Sequence, residues 1–162
     1  MNENIVKYPA RPLLKKTAKV KSLTGEVKSL VDKMTEQMFK TGGVGLSANQ
    51  IGSNLRIFVA SPHSERNDLF VFINPRIISK KGAQVDEEGC LSVAGVSAFV
   101  RRYEEVEVEA LNIEGKRFRL KACGLMARII QHEIDHLNGK IFLNRLKMFE
   151  RRKYLKKIKN IK

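Results

Sequence analysis

Between Arg56 and Leu120 the chain breaks into short β-rich runs, RIFVA, LFVFI, VEVEAL and RFRLKA, parted by the turn signals Ser61-Pro62, Asn74-Pro75 and Glu114-Gly115. Runs this short and this close together pair through hairpins, so the segment predicts antiparallel strands. Helical spacing lies on either side of it. Before it, Val27, Leu30, Val31, Met34 and Met38 recur at helical intervals until Gly42-Gly43, predicting a helix over about residues 25–40. After it, Gly124 opens a second helix in which Leu125, Ile129, His132 and His136 share one face, and Asn138-Gly139 supplies its stop. A third, basic helix is expected from about Leu143. Strands gathered between helices, without βαβ alternation, repeat or linker, predict an α+β fold with antiparallel β-sheets around a central helix, an N-terminal helix and a C-terminal basic helix.

The chain has 162 residues, which suits one domain with one core. No apolar run approaches the roughly 20 residues needed to span a bilayer, so neither a membrane anchor nor a secretory leader is expected, and the cytoplasm is the simplest location. Cys90 and Cys123 are the only cysteines, too few for a disulfide scaffold, which leaves room for a reactive or metal-bound thiolate in a reducing compartment. The formal charge is +14, and Arg145, Lys147, Arg151, Arg152, Lys153, Lys156, Lys157, Lys159 and Lys162 face only Glu150 in the last stretch. That tail reads either as a surface for a polyanion or as a solvated helix that keeps the protein soluble.

The pentapeptide His132-Glu133-Ile134-Asp135-His136 carries the chemistry. Residues four apart on a helix point the same way, so both imidazoles can hold one metal ion while Glu133 stands beside them for proton transfer. A catalytic site typically has a third protein ligand and an open position. The candidates are Cys90, Cys123, His63 and several carboxylates. Cys90 stands out in the turn-like stretch Glu87-Glu88-Gly89-Cys90-Leu91-Ser92, whereas Cys123 reads as a buried small residue and His63 as a solvent-facing loop residue. A further element, Gly43-Val44-Gly45-Leu46-Ser47-Ala48-Asn49-Gln50, permits close backbone approach and ends in an amide, but lacks the Lys-Ser/Thr ending of a phosphate loop.

Together these three segments resemble the signature motifs of the peptide deformylase family: a Gly-x-Gly-x-Ala-Ala-x-Gln loop, a Glu-Gly-Cys-x-Ser turn and a His-Glu-x-x-Asp-His helix. The resemblance runs from Tyr8-Pro9 through Gly124 and Gln131 to Leu137-Asn138-Gly139, or about residues 5–147. Ser47 departs from the family's usual alanine, and Ala94 from a common proline. The resemblance implies a catalytic domain over residues 1–147, with 148–162 as its basic helical extension, and a central metal-binding helix.

It also implies that Cys90, His132 and His136 bind the metal, iron(II) by preference with zinc, nickel or cobalt as substitutes. Glu133 is then the general acid/base for a metal-bound hydroxide that removes the formyl group from N-terminal formyl-methionine. Gln50 and the Leu91 backbone N–H would meet the oxyanion. Val44 and Gly45 would hold the peptide as an added strand, with Leu125 and Ile129 lining the methionine pocket. N-formyl-methionyl peptides are the expected substrate, the ribosome the expected partner of the basic helix, and a monomer the expected state. An ordinary zinc endopeptidase shares only the His-Glu-x-x-His part, and an RNA-binding factor with a structural metal would close its site with a fourth protein ligand.

Overall fold

A capped apolar stripe makes the first helix. Thr24 accepts the Val27 N–H at 3.4 Å, and Val27, Val31, Met34 and Met38 are buried along one side of α1 (Gly25–Lys40). The computed structural model describes residues 5–160, so Lys162 of the basic tail lies outside the described residues. Seven strands follow, β1 (Gly45–Ser47), β2 (Ile57–Ala60), β3 (Phe70–Lys81), β4 (Gln84–Cys90), β5 (Val93–Arg102), β6 (Glu105–Leu111) and β7 (Arg117–Cys123). Five of them form an antiparallel sheet in the order β1-β2-β3-β6-β7, and β4 pairs with β5 as a separate hairpin. Helix α2 (Gly124–Leu137) and helix α3 (Met148–Asn160) complete the fold.

Strand β2 explains the unbroken apolar text of its sequence. Ile57 and Val59 join Met34 and Met38 of α1 in one core, while Phe58 and Ala60 join Ile129, Ile130, Ile134 and Leu137 of α2 in another. A strand covered on both faces has no position for a polar residue. Each fully buried side chain of this kind contributes roughly 1.5–3 kcal/mol. The sheet is thereby gripped between two helices where it meets the Gly43–Gln50 segment.

Further across, β6 alternates. Val106, Val108 and Ala110 enter the α2 core, and Glu105, Glu107 and Glu109 take the opposite face. Cys123, Lys121 and Arg119 of β7 stand opposite these acids on one side, and Lys81, Ser79 and Arg76 of β3 on the other. The outer sheet face therefore sets each acid beside at least one cation, and Glu109 between two, the cross-strand pairing that opposite charges favour. Cys123 belongs to this outer row and is exposed, which corrects its expectation as a buried small residue. His63 does face solvent, with its side chain 77% exposed.

The β4–β5 hairpin is the second layer. Val93, Val96, Ala98 and Val100 pack against Ile141, Phe142 and Leu143, and Tyr154, Leu155 and Ile158 of α3 lie over them. Two features here differ from those expected. Glu87–Cys90 is strand rather than turn, and only Leu91 and Ser92 turn the chain; the acidic stretch is poor in β-branched residues, and its pairing with β5 imposes the strand. The third helix starts at Met148, not Leu143, because Phe142–Arg145 forms a 3-10 turn that buries Phe142 and Leu143 in the hairpin core, and Leu146 is extended. Among the described residues no helix is long and apolar enough to cross a membrane.

Candidate active site

Three elements meet at one end of α2. That helix runs from Gly124, whose φ of 54° suits glycine, to a stop at Asn138 and Gly139. A Cβ on Gly139 would fall 2.8 Å from the Leu14 carbonyl carbon, so the stop is also a close approach of backbones. Asn49 donates to the His136 carbonyl at 2.6 Å, tying the Gly43–Gln50 segment to the helix end. Cys90 ends β4 and faces the helix.

His132 and His136, one turn apart, bring their Nε2 atoms to 3.2 Å, and His136 Nε2 lies 3.2 Å from Cys90 Sγ. All three potential ligand atoms fall within 4.8 Å of one another. A tetrahedral ion with bonds of about 2.05 Å to nitrogen and 2.3 Å to sulfur would hold two nitrogens about 3.3 Å apart and a sulfur and nitrogen about 3.6 Å apart. The donor set therefore fits a divalent ion within a few tenths of an ångström. Cys123 and His63, the other named candidates for a third ligand, are not in the cluster.

Charge around the cluster is organised by Glu88. Its Oε2 lies 2.9 Å from His132 Nδ1, which fixes the ring so that Nε2 faces the cluster. Arg102 grips the same carboxylate through two bonds of 2.8 and 2.9 Å, and Arg128 adds a third at 2.6 Å. Arg102 continues to Asp135 at 2.5 Å, and Arg145 also binds Asp135, at 2.8 Å from Nε. Burial pushes the Glu88 carboxyl up, but the bonds from Arg102 and His132 outweigh it and hold it well below the usual carboxylate range. Burial likewise opposes ionisation of Cys90, yet the two imidazoles bring its thiol well below the ordinary value. Burial would lower His132, and its bonds to Cys90 and Glu88 raise it well above the ordinary imidazole value.

Glu133 is set apart from this network. It is 3% exposed, and burial raises its carboxyl above the ordinary range. Its Oε2 accepts the Ser47 hydroxyl at 2.5 Å. A Cβ on Gly45 would lie 2.7 Å from Glu133 Oε1 and 2.9 Å from Ile129 Cγ2, so only glycine lets the strand lie this close to the helix. Gln50 turns its Oε1 to the Ser47 N–H at 2.9 Å, which leaves Nε2 directed towards Ser92 Oγ at 3.3 Å and Cys90 Sγ at 3.7 Å. A cleft of about 520 Å³ opens over these groups, lined by Val44, Gly45, Leu91, Leu125 and Ile129. The structure thus brings Cys90, His132, His136, Glu133, Gln50, Leu91, Val44, Gly45, Leu125 and Ile129 together, and leaves Cys123 and His63 outside the cluster.

Glu88, Arg102, Arg128, Asp135 and Ser47 were not among those residues. A signal existed for some of them. Arg102 falls on the buried side of an alternating strand, in step with Val100, and Arg128 and Asp135 interrupt an apolar helix. A charge at a buried position requires a partner.

A thiol and two imidazoles converging beside a buried carboxyl, at the floor of a cleft, make up the centre of a metallohydrolase. The polypeptide deformylase family model matches residues 2–152. Peptide deformylase 2 of Nitrosomonas europaea is 44% identical over 96% of this chain and 84% of its own. The crystal structure of a peptide deformylase from Legionella pneumophila superposes with a TM-score of 0.92 at 38% identity, covering 97% of this chain and 93% of that one. The peptide deformylase of Thermus thermophilus does so with a TM-score of 0.91 at 39% identity, covering 97% and 93%. The chain belongs to the polypeptide deformylase family, metal-dependent hydrolases that act on the formyl amide at the start of a peptide.

Proposed function

We propose that this chain removes the formyl group from the N-terminal formyl-methionine of nascent polypeptides, with Cys90, His132 and His136 as metal ligands and Glu133 as general acid/base. The observation that carries this reading is the 3.2 Å convergence of one thiol and two imidazoles next to a buried carboxyl that none of them neutralises by direct contact. A divalent ion in that set supplies Lewis-acid charge and an activated water at neutral pH. Iron(II) is the proposed ion, and zinc, nickel or cobalt suit the same mixed thiolate and imidazole donors.

The protein's own groups then act in turn. Val44 and Gly45, at the start of edge strand β1, hold the substrate backbone in an extended form beside the sheet. Leu125 and Ile129 receive the methionine side chain. As the formyl carbonyl oxygen gains charge, Gln50 Nε2 and the Leu91 backbone N–H donate to it. Glu133 takes a proton from water and returns it to the amine nitrogen as the C–N bond breaks. Water and the formamide are consumed, and formate and a free N-terminal amine are released.

Residues 1–147 form the catalytic unit in this reading, and the basic helix beyond them docks on ribosomal RNA. Tyr154, Leu155 and Ile158 hold α3 to the hairpin, which leaves Arg152, Lys153, Lys156, Lys157 and Lys159 exposed for phosphates. The deciding assay measures formate release from a formyl-Met tripeptide by anaerobically iron(II)-loaded protein, beside an unformylated peptide and Glu133→Ala. Release by the wild type alone supports the reading, and an active Glu133→Ala would remove Glu133 from the chemistry.

A further inference from the structure

The Glu133 carboxyl is buried, and among the described residues its one hydrogen-bond partner is the hydroxyl of Ser47, at 2.5 Å from Oε2. Ser47 is itself 0% exposed and ends the three-residue strand β1. Its hydroxyl also lies 3.1 Å from Gln50 Oε1, but it carries a single hydrogen. The shorter contact takes that hydrogen, and Gln50 Oε1 is already served by the Ser47 backbone N–H at 2.9 Å. One residue therefore holds the amide by its backbone and the carboxyl by its side chain.

The two Glu133 oxygens are thereby made unlike. Oε2 is bound from the strand, whereas Oε1 rests beside the bare Cα of Gly45 with no hydrogen bond among the described residues. A carboxyl that must take a proton and hand it on works best with one oxygen fixed and the other available in a set direction. Alanine, usual at this position in the family pattern, cannot do this.

We propose that the Ser47 hydroxyl is a positioning group for deformylation, fixing the Glu133 carboxyl by Oε2 so that Oε1 is the oxygen that exchanges the proton. The proposal rests on the role given to Glu133 above. Because the hydroxyl acts through Glu133 and not on the reacting atoms, its removal refines rates rather than abolishing them.

The test compares wild type, Ser47→Ala and Ser47→Thr, each as iron(II)-loaded protein of measured metal content, with formyl-Met tripeptide as substrate. Ser47→Ala is expected to lower kcat about 10-fold with KM within about twofold, and Ser47→Thr, which keeps the hydroxyl, to restore most of kcat. The same Ser47→Ala change made in Glu133→Ala is expected to leave the residual rate unaltered, because a group acting through Glu133 has nothing left to position. High-resolution crystal structures supply a reading independent of turnover, with the Glu133 carboxyl ordered in the wild type and rotated or split in Ser47→Ala. An unchanged kcat, an effect on KM alone, an equal loss in the Glu133→Ala background, or an unmoved carboxyl would each overturn the proposal. If Glu133→Ala itself stays active, the assignment of Glu133 fails first. If it is inactive while Ser47→Ala matches wild type, only the role of Ser47 fails.

Discussion

Two carboxylates in this protein are each held by three basic side chains, with opposite physical results. Glu88 sits inside, bound by Arg102, Arg128 and His132, and the two arginine side chains are 1% and 6% exposed. Glu109 sits on the outer sheet face under Arg76, Arg117 and Arg119, whose side chains are 66%, 71% and 62% exposed. The residue chemistry is nearly the same. What differs is where the cations can go if the carboxylate is removed: those at Glu109 turn to water, whereas at Glu88 Arg102 stays buried with Asp135 alone and Arg128 with only the Val100 carbonyl. Ion pairing on the sheet face is thus replaceable, while around Glu88 it is part of the site's construction, because the same carboxylate orients His132.

The largest expected effect follows from breaking the inner set. Glu88→Ala should cost about 3–5 kcal/mol in urea unfolding, since it leaves buried Arg128 with no carboxylate and strips Arg102 of two of its bonds, and should weaken metal affinity about 10–100-fold in a competitive chelator titration. A smaller loss than that from the corresponding Glu109 variant would reverse the comparison. Gly45→Ala tests the geometry without touching charge. Its Cβ must displace Glu133 Oε1 from 2.7 Å, and about a 100-fold fall in kcat is expected in the formate assay with metal content unchanged. Arg102→Lys keeps the inner charge but loses the paired bonds to Glu88 and the link to Asp135, and should destabilise by about 1–3 kcal/mol in the same urea experiment.

Glu109→Gln should have the smallest effect, and one that vanishes in high salt. Bonds from Arg76 and then Arg119 hold the Glu109 carboxyl below its ordinary value in the folded state. A carboxyl depressed on folding stabilises at pH above its unfolded pKa, and that contribution is lost as pH falls through the folded pKa. The difference in melting temperature between wild type and Glu109→Gln, measured from pH 7 downwards, should therefore shrink to nothing in strong acid. A difference that persists there would mean that packing rather than charge is at work.

The legible and illegible parts of the sequence divide along the same physical line. Local periodicity announced α1 and α2 to within a residue or two, because Val27, Val31, Met34 and Met38 on one and Ile129, His132 and His136 on the other repeat at the helical interval. The RIFVA run announced a strand, but that both its faces are covered came only with the packing of α1 and α2. The site residues stood out through spacing and motif, with Cys90, His132, Glu133, His136 and Gln50 all meeting around one point. Glu88, Arg102, Arg128 and Asp135 did not stand out, since what makes them matter is contact across 10 to 44 positions of chain or burial created by the fold. Strand β4 was hidden for the same reason: its acidic text has little strand character until β5 lies beside it.

The bare Cα of Gly45 has a genetic consequence. Any single-base change that alters a glycine codon in meaning either ends the chain or installs a residue with a Cβ, and here a Cβ lands 2.7 Å from Oε1 of Glu133, the proposed proton carrier. Position 45 has no mild allele, whereas a Cβ on Gly89, beside Cys90, meets nothing within 4 Å. Drift through this site can wander at position 89 but has no gentle first step at position 45.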